Sequence, residues 1–339
     1  MKPRTREQFN ALRAAMAESY GVTEQDVKEC FAVSEPMETR LNTAIQDSSE
    51  FLQRITMLPV TDRKGQAVTI GVRKPLAKRT NTTNKDRSPT QMGSPEGLEY
   101  ICKLTEFDVA FSYDLLDAWA RFDNFMALYM AQVYRRIALD RILVGWHGTS
   151  AAAETDPGTN TNLEDVNIGW LHLLKTHKPE HYLTESTASS GKITIGAAGD
   201  YKNLDQLTYD VYSMIPDAQR TGAEVAIVGR QLVANDMGKA LASHAQQPTE
   251  KGQILVLDKS YGGLPTIVVP GFQESGVMVT DTENLALYYQ EGKSRRQQMD
   301  NSKRNQVEDY ISSNDAYMIE NLDGIAAIEA ANVEFKETA

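Results

Sequence analysis

RKPLAKRTNTTNKDRSPTQMGSPEG, residues 73–97, is the stretch on which the reading of this 339-residue chain turns. It is rich in Ser, Thr, Pro and Gly and has no aromatic residue. Six basic residues (Arg73, Lys74, Lys78, Arg79, Lys85, Arg87) face two acidic ones (Asp86, Glu96), a local charge of +4 in a chain of −11. Strand-like patterns flank it: Val68, Ile70 and Val72 alternate before it, and Ile101, Leu104, Phe107, Val109 and Phe111 alternate imperfectly after it. A basic tongue on a two-stranded stem has too little apolar surface to order itself in water. It needs a surface to lie on, and an acidic copy of the same chain is the nearest candidate. The stretch therefore points to self-assembly before it points to a small-molecule site.

Before the tongue, the first fifty residues read as three helices. Phe9, Leu12, Met16 and Tyr20 share a face, and Gly21 ends the run. Thr23 with Asp26 matches a capping box for a second short helix reaching Cys30 or Phe31. Ser34 and Pro36 open a third, whose stripe is Met37, Leu41, Ile45, Ser48 and Leu52. The junction Phe31–Ser34 then reads as a weak seam between two capped helices, open to proteases. Leu58 to Arg73 reads as a strand with a turn at Asp62–Gly65, expected to pair with Tyr100–Phe111 as the stem of one long hairpin.

After the tongue, Ser112 opens a helix predicted to run from Tyr113 to Gly145, about 50 Å at 1.5 Å per residue. Its stripe is Leu115, Trp119, Phe122, Met126, Met130, Val133 and Ile137. Its charges (Asp114, Asp117, Arg121, Asp123, Arg135, Arg136, Asp140, Arg141) exclude a membrane span, so it reads as a spine lying across a sheet. A loop at His147–Asn162, a short helix at Val166–Thr176 and a polar loop at Thr184–Gly191 follow. From Asp200 helices and strands alternate as in an α/β domain: helices at Leu204–Ile215 and Gln231–His244, strands at Val225–Val228, Ile254–Leu257, Thr266–Val269, Val277–Thr280 and Leu285–Tyr289. The end reads as strands at Val307–Ser313, Ala316–Glu320 and Ile325–Glu329.

Composition bounds the function. Hydrophobic residues at 41% and charged ones at 24% are ordinary for a globular chain long enough for two domains. The acidic balance argues against a protein that coats nucleic acid. Cys30 and Cys102 are read as too few for a disulfide framework or a four-ligand zinc site, and as reduced thiols. The N-terminus has no continuous apolar core, so it is not read as a secretory signal, and no apolar run is long enough for a membrane span. A cytoplasmic origin is expected.

Catalytic signatures fail one by one. There is no phosphate loop, no dinucleotide fingerprint and no nucleophile elbow. Gly262–Gly263 reads as a turn between strands. His172, His177 and His181 are the candidates for a histidine metal cluster, but Pro179 bars His177 and His181 from one helix face. Glu164–Asp165 and Asp281–Glu283 are acidic pairs whose simpler readings are a helix N-terminus and a turn. Lys293, Arg295 and Arg296 form a basic knot, read either as a solvated turn or as an inter-subunit contact. Trp119, Phe122 and Phe125 read as core rather than as a base-stacking platform. An enzyme using the region after Asp200, and nucleic-acid binding through the tongue, remain as alternatives. The first lacks a nucleophile–base pair and the second lacks interleaved aromatics.

The order of parts resembles the tailed-phage major capsid fold of the Hong Kong 97 type, and within it the major capsid precursors of Peduovirus-type phages. The carrying segments are TREQFNALRAAMAESYGV (5–22), QDSSEFLQRITMLPV (46–60), DLLDAWARFDNF (114–125), DVNIGWL (165–171), VGRQLVA (228–234), GGLPTIVVPGF (262–272), TENLALYYQEGKSRRQ (282–297) and VEDYISSNDAYMIE (307–320). None is catalytic; their number and order carry the likeness. The loops 147–162, 184–199 and 236–253 look individual to this chain. The resemblance implies an α+β capsid fold: an N-terminal helical segment and arm at 1–62, an extended hairpin loop at 63–111, a peripheral domain with the spine helix at 112–199 and 291–339, and an axial domain at 200–290. It implies hexamers and pentamers in an icosahedral shell that encloses double-stranded DNA without binding it specifically, in the virion after assembly in the host cytoplasm. It also implies a scaffolding protein, a portal at one vertex and a maturation protease that removes the N-terminal segment, with the cut placed at Phe31–Ala32. Arg73, Lys74, Lys78, Arg79, Lys85, Arg87, Lys293, Arg295 and Arg296 are the implied inter-subunit contacts. No catalytic residue, cofactor or metal is expected. Some relatives of the fold crosslink their subunits, for which Lys74 or Lys78 would be donors by position alone.

Overall fold

A computed structural model describes residues 1–67, 77, 79–84, 86–88, 97–119, 125–236 and 260–336, with side chains from residue 128 onward in the stretch that begins at 125. The chain divides into two compact units, Met1–Lys64 with Ile101–His172 and Ala286–Tyr317, and Gly65–Tyr100 with Leu173–Leu285 and Met318–Ala339.

The first unit opens with the helix Pro3–Tyr20. Pro3 sits in its first turn, where no N–H is lost, and Gly21 closes it at φ 66. Phe9, Leu12, Met16 and Tyr20 are buried, as their spacing predicts. The Thr23–Asp26 capping box forms in both directions, with the Thr23 N–H donating to Asp26 Oδ2 at 2.8 Å and the Asp26 N–H to Thr23 Oγ1 at 3.2 Å. It caps only one 3-10 turn, Asp26–Lys28, not a helix to Phe31. Phe31–Ala32 is instead a strand, because its backbone pairs with Arg295–Arg296. The third helix also differs from expectation: Glu35–Asp47 stops, and Glu50–Arg54 starts afresh. Ser48 Oγ donates to the Ile45 carbonyl at 2.6 Å, a local bond that competes with helix continuation.

These helices belong with a six-stranded sheet whose order is Phe31–Ala32, Arg295–Asn301, Gln306–Ile319, Leu285–Gln290, Thr56–Val60, with Lys103–Ser112 also paired to Gln306–Ile319. Thr56–Val60 runs parallel to Ala286–Gln290, and Lys103–Ser112 runs antiparallel to Gln306–Asp315. The expected long stem is thus split in its described part; Val68, Ile70 and Val72 lie outside the described residues. The two flanking segments join different strands of the sheet, and the described pairing at the tongue's base is only Lys64–Gln66 with Glu99–Ile101. The two strands expected at 307–313 and 316–320 are one, Gln306–Ile319. Asn314 and Asp315, which fell between the two expected strands, are held by Gln290 and Arg141.

Helical segments Tyr113–Trp119 and Phe125–His147 lie along the stretch predicted as one helix from Tyr113 to Gly145. Residues 120–124, with Phe122 of the expected stripe, lie outside the described residues, as do the side chains of Phe125 and Met126. Leu116 is buried and Leu115 is 39% exposed, one position off the predicted stripe. At the far end Trp146, Trp170, Phe51 and Tyr317 form an aromatic core, with Trp146 and Trp170 4.9 Å apart edge to face. Trp170 Nε1 donates to the Ala286 carbonyl at 3.0 Å. A Cβ on Gly145 would stand 2.2 Å from the Trp170 ring, so only glycine admits this packing.

The second unit is built on a sheet of order Tyr182–Leu183, Ile325–Ile328, Val277–Thr280, Val225–Val228, Leu264–Ile267, Ser260–Tyr261. The Leu264–Ile267 and Val225–Val228 strands are parallel, and Val277–Thr280 is antiparallel to both of its neighbours. Leu204, Leu207 and Val211 of the helix Leu204–Ser213 bury against Val277, Val279, Ala326 and Ile328. Asn203 caps that helix by accepting the Gln206 N–H at 2.9 Å. Gly262 and Gly263, both at positive φ, make the hairpin turn between Ser260–Tyr261 and Leu264–Ile267. Near the end of the chain Ile325–Ile328 joins this second sheet, antiparallel to Val277–Thr280. The strand expected at Ile254–Leu257 lies outside the described residues.

Candidate assembly surfaces

The outward face of the first unit's sheet is a surface of cross-strand rows. Registers place Arg295 opposite Ser312 and Ser312 opposite Glu106; the next row is Gln297, Tyr310 and Asp108. A groove of about 560 Å³ lies over them, with Arg63, Lys293 and Arg295 as its bases and Glu106 and Asp108 as its acids. Two strand spacings of about 4.8 Å separate the backbones of Arg295 and Glu106. Burial, and then the Glu106 charge two residues away, raises the Asp108 carboxyl above its ordinary pKa. Leu104 at 58% and Tyr310 at 36% exposed add apolar area to the same face. Glu308 accepts from Gln306 at 2.7 Å and from the Tyr310 hydroxyl at 2.7 Å, which holds its carboxyl below the usual range.

Of the basic tongue, Arg79 and Arg87 are described and exposed; Arg73, Lys74, Lys78 and Lys85 lie outside the described residues. At the tongue's base the Ala67 N–H donates to the Leu98 carbonyl at 3.0 Å, and Gln66 Nε2 to the Gly97 carbonyl at 2.9 Å. Tyr100 lies across Gly65, where a Cβ would come within 2.5 Å of its hydroxyl.

The basic knot separates into two environments. Lys293 and Arg295 are exposed. Arg296, expected as an inter-subunit contact, is buried within its own chain with a fully covered side chain. Its Nη2 meets Asp309 Oδ2 at 2.6 Å, and its Nη1 donates to the Tyr20 hydroxyl at 2.9 Å. The reason is strand parity: Arg295 and Arg296 point to opposite faces, and Asp309 on the neighbouring strand waits on the inner one. Tyr129 donates to the same Asp309 at 3.1 Å.

Sequence reading missed a second buried cation. Arg141 Nε donates to Asp315 Oδ2 at 3.0 Å, Nη1 to Asn42 at 2.9 Å and Nη2 to Ser313 at 3.2 Å. A signal was present, since Arg141 lies four residues after the buried Ile137, on the apolar side of its helix. Glu38 was missed too. It is buried and accepts from the N–H groups of Gly292 at 2.7 Å and Ser294 at 3.1 Å and from the Ser294 hydroxyl.

Phe31 and Ala32 form the terminal strand of the sheet. Phe31 is 9% exposed and stacks edge-on to Tyr20 at 5.4 Å, while Ala32 faces outward. They are not a loose seam between helices, because backbone pairing holds them extended. Among the histidines, His181 is buried with Nδ1 2.8 Å from the Ile325 carbonyl, and His177 is exposed. Asp165 braces its loop through the Asp156 N–H and Asn160, and Asp281 caps a turn through the Glu283 N–H. No group of three or more metal-ligating side chains occurs among the described residues, and no described helix is long and apolar enough to cross a membrane.

The outer face of the first unit's sheet thus carries exposed charged and apolar side chains together. The phage major capsid protein model of the P2 family matches residues 8–331, and the chain belongs to that family. The capsid proteins of Escherichia phage P2 are 32% identical over 98% of this chain and 96% of theirs. The major capsid protein of Serratia phage KSP20 is 32% identical over 96% of both. A solved chain from the satellite phage P4 procapsid that includes the size determination (Sid) protein superposes with a TM-score of 0.79 at 29% identity, covering all of both chains. The fold is therefore of the Hong Kong 97-like capsid kind. The family is one of structural proteins of the virion capsid and not of enzymes.

Proposed function

We propose that this chain is the building block of an icosahedral phage head, assembling as hexamers and pentamers around double-stranded DNA that it encloses without reading. The observation that carries the proposal is the agreement of the whole chain, end to end, with a procapsid chain at a TM-score of 0.79. In this reading residues 112–199 and 291–339 form the peripheral domain, residues 200–290 form the axial domain around the fivefold and sixfold centres, and the 63–111 loop lies on a neighbouring copy. The exposed Arg79 and Arg87, with Arg73, Lys74, Lys78 and Lys85 of the same tongue, set register against acidic surface on that neighbour; Lys293 and Arg295 are further contacts. Charge pairing of this sort steers and orders docking more than it tightens it. Heterologous contacts that close on themselves give rings, and rings of two sizes close a shell.

A scaffolding protein directs assembly in the host cytoplasm, a portal fills one vertex, and a phage protease then removes the segment ending at Phe31. The cut falls where the N-terminal helix and its capping turn end and the sheet begins. Electron microscopy of the chain co-expressed with its scaffolding partner tests the reading. Closed shells of hexamers and pentamers are expected. A chain that stays monomeric with that partner present overturns it.

A further inference from the structure

The bond between Phe31 and Ala32 is not presented to solvent as a loop. Phe31 pairs with Arg296 and Ala32 with Arg295, and the Val33 N–H donates to the Ser294 carbonyl at 2.9 Å. Exposure alternates from Cys30 to Ser34, with Phe31 and Val33 turned inward at 9% and 2%. The Phe31 ring rests on Tyr20, and Tyr20 is held in turn by the buried Arg296–Asp309 pair. Gln297 Nε2 donates to the Lys28 carbonyl at 2.8 Å, which ties down the approach to the strand. Proteases act on an extended segment that they enclose from several sides. This segment is extended, but one edge and one face of it are already in use by its own sheet.

We propose that Tyr20 and Phe31 form a latch that keeps the precursor from being processed until the strand Phe31–Ala32 is peeled from Arg295–Arg296. The proposal rests on the processing site named above. The chemical step belongs to a separate protease and is plain hydrolysis. The amide C–N bond between Phe31 and Ala32 breaks, and water supplies the second oxygen of the new Phe31 carboxylate and the hydrogen of the new Ala32 amine, with no redox change. What this chain contributes is the opening equilibrium that precedes that step. Cleavage then tracks the population of the peeled state, not the intrinsic reactivity of the bond. Any neighbour contact that pulls on the Arg295–Asn301 strand or on the helix Pro3–Tyr20 shifts that population, which couples processing to assembly.

Limited digestion of the purified full-length chain with chymotrypsin, which cuts after aromatic residues, tests the latch without the phage enzyme. The product beginning at Ala32 is followed by intact mass. Tyr20→Phe keeps the ring and removes the hydroxyl that Arg296 holds; Tyr20→Ala removes both. The loss of one charge-assisted bond is expected to speed the Phe31–Ala32 cut by about tenfold or more, with the alanine variant faster still. Rates at Tyr317, deep in the core, report global unfolding, and a rise at Phe31–Ala32 that exceeds any rise at Tyr317 marks local opening. In the opposite direction, Ala32→Cys with Arg295→Cys in a Cys30→Ser background joins the two strands, and the oxidised form is expected to resist the cut until reduced. Equal Phe31–Ala32 rates in the parent and both Tyr20 variants overturn the latch. The N-terminal mass of assembled particles reads the premise separately. Ala32 there supports the site, and any other first residue overturns the site even where the chymotrypsin rates show a latch.

Discussion

Arg141 and Arg296 are two guanidinium groups taken out of water, each answered by one carboxylate and by neutral oxygens around it. Breaking a buried pair of this kind leaves a bare charge in a low-dielectric interior. Arg141→Met is therefore expected to cost about 3–5 kcal/mol in urea unfolding, and adding Asp315→Leu to recover most of the loss. Asp117 gives a residue-scale pH dependence. Bonds from the Thr5 hydroxyl and the Lys2 N–H hold its carboxyl below the ordinary carboxylate pKa. A depressed folded pKa stabilises the folded form above the unfolded value and loses that contribution as pH falls through the folded one. The hold on the helix Pro3–Tyr20 is thus expected to weaken only on acidification below the usual carboxylate range, read as faster hydrogen exchange at residues 6–12. In Asp117→Asn that acid step disappears.

Among the elements, the close approach at Gly145 decides how the helix Phe125–His147 meets Trp170. Gly145→Ala drives a methyl into the indole and is expected to cost about 1–3 kcal/mol, the range for overpacking a filled core. Thermal unfolding measures the loss, and a shifted tryptophan emission reports the displaced ring. Element existence was largely legible in the sequence. The helix Pro3–Tyr20 with its Gly21 stop, the Gly262–Gly263 turn, and the strands Val225–Val228 and Val277–Thr280 stand where spacing and turn residues predicted them. The misreadings have local causes. Phe31 looked like a helix end because capping residues precede it, yet a strand partner far along the chain took its backbone. Asn314 and Asp315 fell outside the two expected strands, yet both found partners inside the fold and the strand runs through them.

For the whole molecule, the tongue is the assembly hypothesis in its most testable form. Replacing Lys78, Arg79, Lys85 and Arg87 by Ser removes four positive charges. Shell closure, scored by electron microscopy and sedimentation, is expected to fail while DNA retention by the purified chain stays unchanged. The reverse pattern would assign the tongue to nucleic acid. Of the candidate surfaces, the sequence marked the basic clusters but not which members face outward: of the neighbours Arg295 and Arg296, one is exposed and the other has no exposed side-chain surface.

Local periodicity, caps and turn residues are properties of neighbours in the chain, so the sequence by itself determined most of the elements, and the order of its segments determined the family. Strand partners and the fate of individual charges depend on residues far apart. Arg141 finds Asp315 174 positions away, and Arg296 finds Tyr20 276 positions away. Only the tertiary structure decided those meetings, because burial turns a charge that water would satisfy into one that another residue must.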